Sequence, residues 1–196
     1  MLGYVLWHWR RPEVAAVEYE ARQRAFHAAL GSAPPPGFGG SFSVALSGAG
    51  WAAAGTAAYE DWYLVRDFAA LGTLNDAAVS GTRKGPHDQA AATAGGGAAG
   101  VFRLRLGNVL REPRCAHWFS KPAGTSYADF LASLERPVAA ASGALWQRQM
   151  TLGPTAEFCL HAAERVPLAG VEPLVLALRP AWEPPGESGR HAGGGT

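Results

Sequence analysis

Two short segments of similar make, Leu6-Trp7-His8-Trp9-Arg10-Arg11-Pro12 and Ala116-His117-Trp118-Phe119-Ser120-Lys121-Pro122, constrain this chain more than any other feature. Each has the aromatic content of a buried strand and ends at a proline, which a helix accepts in its first turn because the missing N–H would have no partner there. A strand running into a helix, met again about 110 residues later, describes a chain made of two similar units. With 196 residues, 48% of them hydrophobic, there is apolar material for two small packed units or one large one.

The elements between the two segments are readable from periodicity. Residues 4–10 alternate as a strand, with Leu6, His8 and Arg10 on one face and Val5, Trp7 and Trp9 on the other. Ala15, Tyr19, Phe26 and Leu30 share one stripe of a helix over 13–30, with acids early and bases late as the helix dipole favours; Gly31 and the prolines at 34–36 end it. Strands follow over 41–46 and 59–65. A helix carries Phe68, Leu71, Asn75, Ala78 and Val79 and ends near Gly81. Residues 81–100 have almost no large apolar side chain and read as a mobile loop, with a short helical turn near 87–92. Strand 101–106 then completes a βαββαβ unit over residues 1–108.

From residue 113 the series restarts: strand 115–119, helix 126–134, strands 144–152 and 156–162. Residues 164–170 are too few for a second full helix before the last strand, 174–178, so the second unit, 113–182, is a shortened copy. The tail 183–196, rich in Pro, Gly and Ser, has nothing to pack and is expected to be disordered.

Composition removes several classes of function. Seventeen Lys plus Arg against 16 Asp plus Glu is not the basic excess of a nucleic-acid binder. No apolar run approaches the roughly 20 residues that span a bilayer, and the first charges follow the apolar residues instead of preceding them, so neither membrane nor export is expected and the cytoplasm is the default address. Cys115 and Cys159 are too few for a disulfide framework. Gly95-Gly96-Gly97 does not lead a strand into a helix and is no phosphate loop.

Two ferredoxin-like units in tandem, each opening on an aromatic strand that ends at a proline, resemble the dimeric α/β barrel superfamily in its duplicated, single-chain form. The resemblance covers about residues 3–181 and implies two antiparallel sheets facing each other in a pseudo-dimeric barrel with helices outside. It also implies a monomer with an internal pseudo-dimer, higher oligomers remaining open. Members include small monooxygenases, haem-degrading and haem peroxidase-like enzymes, isomerases, decarboxylases and proteins of unknown activity, so the resemblance leaves the reaction open.

Polar residues at alternate strand positions are the candidates for a site. His8 is the catalytic candidate, since imidazole titrates near neutrality and suits proton transfer. Arg10, on the same face, suits an anionic substrate group. The indoles Trp7 and Trp9 are expected under the helices, leaving His8 and Arg10 to face the barrel interior. Asp61, Arg103, Gln147, Gln149, Glu157 and His161 are the further substrate-binding candidates, with Gln147 or Gln149 and Glu157 or His161 opposite His8 across the cavity. His8, His117, His161 and Glu157 are competent metal ligands, but no short spacing ties them together, so no metal and no cofactor is expected. In the best echo between the repeats Trp7 aligns with His117 and His8 with Trp118.

These residues point first to a small-molecule-binding barrel, possessing or lacking cofactor-free chemistry of the monooxygenase, isomerase or proton-transfer kind on a small aromatic or carboxylate-bearing compound. The alternative is a non-catalytic interaction module with a solidly packed barrel. A haem-binding protein comes third.

Overall fold

The computed structural model describes residues 1–47, 57–151, 155–182 and 184. The chain runs β1 (Leu2–Arg10), α1 (Ala16–Ser32), β2 (Phe38–Leu46), β3 (Ala58–Val65), α2 (Phe68–Ala78), α3 (Gly81–Thr93), β4 (Ala94–Gly107), β5 (Cys115–Phe119), α4 (Tyr127–Ala140), β6 (Ala144–Thr151), β7 (Phe158–Ala162) and β8 (Leu174–Trp182). The strands close a barrel in the order β1-β3-β2-β8-β5-β7-β6-β4. All strand pairs are antiparallel.

The first four strands stand in the order β4-β1-β3-β2 and the last four in the order β8-β5-β7-β6, the ferredoxin-like arrangement twice. Two seams join the units, β2 with β8 and β4 with β6. Short capping residues start two of the helices: Asp67 accepts from Ala70 N at 2.9 Å, and Ser126 accepts from Asp129 N at 3.1 Å. The second unit has no helix between β7 and β8, as its short connection requires.

Residues 81–100 are a correction to the expected mobile loop. They form α3 and the first half of a 14-residue β4, which pairs with β1 as far as Arg10↔Ala94. The small residues that look like a loop are there because β4 lies close on its neighbour. A Cβ built on Gly96 would stand 2.5 Å from the Trp9 indole, and one on Gly97 would stand 2.7 Å from the Trp7 carbonyl oxygen. The expected tail disorder at 183–196 falls, apart from residue 184, outside the described residues.

The barrel interior is filled by one large apolar cluster, in which Glu60 and His161 are buried. Val5 and Trp7 from β1, Phe42 and Val44 from β2, Trp62 from β3, Phe102 from β4, Trp118 from β5 and Trp146 from β6 fill it, with Leu176 and Leu178 from β8. Trp7 therefore points into the barrel, and His8, one residue on, points out beneath α1, where its ring packs on Tyr19. The expected facing of β1 was inverted. The reason lies in α1, whose buried side is Tyr19, Gln23, Phe26, His27 and Leu30. Three of those five carry polar groups, so the strand face that meets this helix must bring polar partners, and His8, Ser41 and Asp61 do so. The echo aligning Trp7 with His117 fails by the same parity. Trp7 and Trp118 both face inward, while His117 accepts the backbone N–H of Val166 at 2.9 Å outside the barrel.

A candidate proton-transfer site under helix α1

β3 supplies the charge of the candidate site. Its outward residues Tyr59, Asp61 and Tyr63 lie beside His8 of β1, with Tyr59 directly opposite His8 in the register. Asp61 is 2% exposed and is approached by two imidazoles through the same oxygen, Oδ2: His8 Nε2 at 3.1 Å and His27 Nε2 at 3.3 Å. Tyr63 donates its hydroxyl to that oxygen at 3.1 Å. Neither approach has the geometry of an aligned hydrogen bond, and among the described residues Oδ1 of Asp61 has no hydrogen-bond partner. Burial alone would raise the Asp61 pKa, but the neighbouring His8 and His27 outweigh it and hold the carboxyl well below the usual carboxylate range.

The other nitrogen of each histidine meets a hydroxyl. His8 Nδ1 lies 2.5 Å from the Tyr19 hydroxyl, and His27 Nδ1 lies 2.7 Å from Ser41 Oγ. The Asp61 carboxylate favours a proton on each Nε2, which leaves each Nδ1 to accept. The result is a buried chain, Tyr19–His8–Asp61–His27–Ser41, in which an ionised carboxylate orients two imidazoles. Tyr19 stays a phenol, because burial and the Asp61 charge both push its pKa far up. Rings enclose the chain: Tyr59 stacks on His8 with centroids 5.6 Å apart, and Tyr63 stacks on His27 at 5.1 Å.

This chain opens onto a cavity of about 390 Å³ between the outer sheet face and helices α1 and α3. His8, Tyr19, Gln23 and Asp61 form its polar side, Leu6 and Phe26 its apolar side, and the glycines and alanines at 96–99 its floor. The bare strand that resembled a loop is what leaves room for the cavity.

Of the residues expected at a site, His8 and Asp61 are the two that meet at this cavity. Arg10 shares their outward parity, but its guanidinium donates to the carbonyl oxygens of Pro12 and Val14 at 3.1 and 2.8 Å, bracing the turn before α1. Arg103 donates to Gln149 at 3.3 Å and Arg105 to Gln147 at 2.7 Å, two rungs on the outside of the β4–β6 seam. Glu157 accepts from the exposed Tyr127 at 2.5 Å. His161 lies inside the barrel, edge-on to Trp62 at 4.6 Å, where burial lowers its pKa to about 3. The expected cavity facing Gln147, Gln149, Glu157 and His161 across the barrel is corrected to one outside it. Gln23, His27 and His87 were missed, although Gln23 and His27 stand four and eight residues after Tyr19 on one helix stripe, the signal of a polar buried face.

Among the described residues no group of three or more His, Cys, Asp or Glu side chains is arranged to hold a metal, and no helix is long and apolar enough to cross a membrane.

The fold and its element order define the class: a dimeric α/β barrel in its duplicated, single-chain form. Neither protein-family models nor curated protein sequences match the chain. Among solved structures it is similar to a Fusobacterium nucleatum protein assigned as a monooxygenase, with a TM-score of 0.65, 8% identity and 92% of each chain covered. It is also similar to an anthrone oxidase-like protein, with a TM-score of 0.48, 7% identity and 93% and 94% covered. A chlorite dismutase variant from Candidatus Nitrospira defluvii follows at a TM-score of 0.42 and 13% identity, with 90% of each chain covered. At such identities the likeness is one of fold.

Proposed function

We propose that this chain binds a small hydroxylated or enolisable aromatic compound in the cavity under α1 and moves a proton on it through His8, without a cofactor. The observation that carries this reading is the short Tyr19–His8 contact backed by Asp61 at the edge of a 390 Å³ cavity. A neutral substrate is favoured over a carboxylate, because among the described residues no lysine or arginine lines the cavity, which borders the Asp61 charge.

In the resting site the Tyr19 hydroxyl donates to His8 Nδ1. A substrate O–H, or a C–H next to a carbonyl, that takes this place gives its proton to Nδ1, and the imidazolium formed is stabilised by Asp61 about 3 Å away. Tyr19, freed from His8 and still protonated, is then a donor to the oxyanion left on the substrate. Such an anion is the common starting point for isomerisation and for cofactor-free oxygen chemistry, and the two share these protein groups. The similarity to a protein assigned as a monooxygenase is compatible with the reading at the level of fold.

The alternative, a non-catalytic interaction module, draws support from the aromatic filling of the barrel. That filling leaves the outer cavity untouched, so it does not weigh against a site there. The discriminating experiment is deuterium exchange at the α-carbon of 2-tetralone in D2O, followed by NMR. Acceleration by the wild-type protein and its loss in His8→Gln with an intact fold support the proposal; no acceleration, or equal acceleration by His8→Gln, overturns it.

A further inference from the structure

We infer that the site is built in two chambers and that His87 determines which ligands extend into the inner one, so that the ligand class is a hydroxylated ring carrying a short apolar tail. This rests on the reading above that the outer cavity accepts a phenolic or enolic head.

A second cavity of about 120 Å³ lies against the first, lined by Leu30, Leu74 and Ala78 and by Leu6, Phe26 and His87, the last three shared with the outer chamber. The His87 ring stands edge-on to Phe26 with centroids 5.3 Å apart, so these two rings form the partition. Tyr63 lines both chambers and donates its hydroxyl to Asp61, placing the charged cluster at the outer chamber's end of the wall.

The two rings of the partition are held differently. Phe26 is 7% exposed, within the core beneath α1. The His87 side chain is 32% exposed and engages the exposed Asp88 through Nδ1 at 3.1 Å, so it can turn toward solvent with little loss of packing. The inner chamber also takes in Tyr4 and Asn75, so its wall is mixed; its aliphatic side, Leu30, Leu74 and Ala78, favours methylene or methyl groups. Its volume equals about four water-sized groups at roughly 30 Å³ each, so a tail of about four carbons fills it.

The test is equilibrium binding of 4-alkylphenols from methyl to octyl, measured by calorimetry on the whole chain. With the hydroxyl at His8, affinity in the wild type rises about fourfold per methylene, the gain expected for burying each CH2, and levels off near butyl. Leu74→Trp and, as a second way of filling the chamber, Ala78→Leu abolish the rise while 4-methylphenol binds as before. His87→Ala removes the partition and extends the rise to longer tails. If 4-methylphenol binds but affinity is indifferent to tail length, or if His87→Ala leaves the point of levelling unchanged, the two-chamber inference is overturned and the proton-transfer reading stands. Failure of every phenol to bind overturns both.

Discussion

Trp7 of the first repeat and Trp118 of the second meet edge to face inside the barrel with ring centroids 6.0 Å apart. Both also lean on Phe102, at 5.9 and 5.6 Å, so the aromatic core is shared between the halves and neither half closes it alone. Outside the barrel the halves are tied again, where Arg179 of β8 donates to Glu20 of α1 at 2.5 Å and Trp182 stacks over His27 at 6.1 Å. The second repeat thus completes the packing around the site that the first repeat carries.

One consequence is cooperative unfolding. Trp118→Ala removes a 3% exposed indole from the shared core and should cost about 3–5 kcal/mol, with both halves lost in one transition. Urea denaturation followed by far-UV circular dichroism and by indole fluorescence checks this. Two separate transitions in the wild type would show that the repeats fold independently.

A second expectation concerns Glu60, fully buried among the indoles. Burial pushes its pKa up to about 7 in spite of the Trp62 N–H that donates to Oε2 at 3.2 Å and the nearby Trp7 and Trp118 N–H groups, which hold it down only in part. Folding therefore favours the protonated acid, and stability falls as pH rises from about 4.5 toward 7, by on the order of 3 kcal/mol. His161 works in the opposite sense. Its folded pKa is lowered from 6.5 to about 3, so the stability of its neutral form is fully present above 6.5 and is lost as pH falls. The two slopes oppose each other between about 4.5 and 6.5. Glu60→Gln removes one of them, and its melting temperature should rise steadily across that interval and then stay flat. A variant whose pH profile parallels the wild type would refute the assignment.

The order of the strands and the alternation along β1, β2 and β3 were legible because strand periodicity and proline punctuation are local. Which face of β1 points inward was not. Alternation assigns Trp7 and His8 to opposite faces and says nothing about which face meets the helix. That information sits in α1, where Gln23 and His27 share the stripe of Tyr19, and it becomes decisive only when the polar side of the helix is matched to the polar side of the sheet. The stretch 94–100 was misread for another physical reason. Gly96 and Gly97 are required by contact with Trp9 and with the Trp7 backbone, a constraint from the neighbouring strand that composition cannot reveal. Asp61 and His8 are each legible as strand polar groups, but their contact is diagonal: the β1–β3 register sets Leu6 opposite Asp61 and Tyr59 opposite His8, and only the fixed register shows that the two side chains meet on one face.

Asp61 itself yields a third prediction. Because its folded pKa is held well below 3.8, the stability it contributes is present above that value and is lost as pH falls through the folded pKa. Asp61→Asn takes a buried carboxylate away from the Tyr63 hydroxyl that donates to it and from the two imidazoles beside it, and should cost roughly 1–3 kcal/mol at neutral pH, the usual loss when buried polar groups are left short of a partner. The gap between variant and wild type should narrow in strong acid, read from denaturation midpoints at pH 2 and pH 7. An equal gap at both would mean that the carboxylate charge is not what stabilises the cluster.

The last prediction separates His8 from Arg10, two residues of the same strand face with different duties. Arg10 braces the turn before α1 through carbonyl oxygens and lines no part of the cavity. Arg10→Ala should therefore lower stability by about 1 kcal/mol, the scale of a hydrogen bond or two, and leave 4-methylphenol affinity unchanged. His8→Gln keeps a polar side chain of similar reach beside Asp61, with its terminal amide in place of Nε2, but puts no acceptor at the Nδ1 position to which a phenol would donate. It should weaken 4-methylphenol binding about tenfold, the cost of one hydrogen bond of roughly 1.4 kcal/mol, and melt within a few degrees of the wild type. Calorimetric titration of both variants, paired with thermal denaturation, reads the two effects separately. If Arg10→Ala weakens binding as much as His8→Gln does, the guanidinium belongs to the site after all and the division of labour on β1 is wrong.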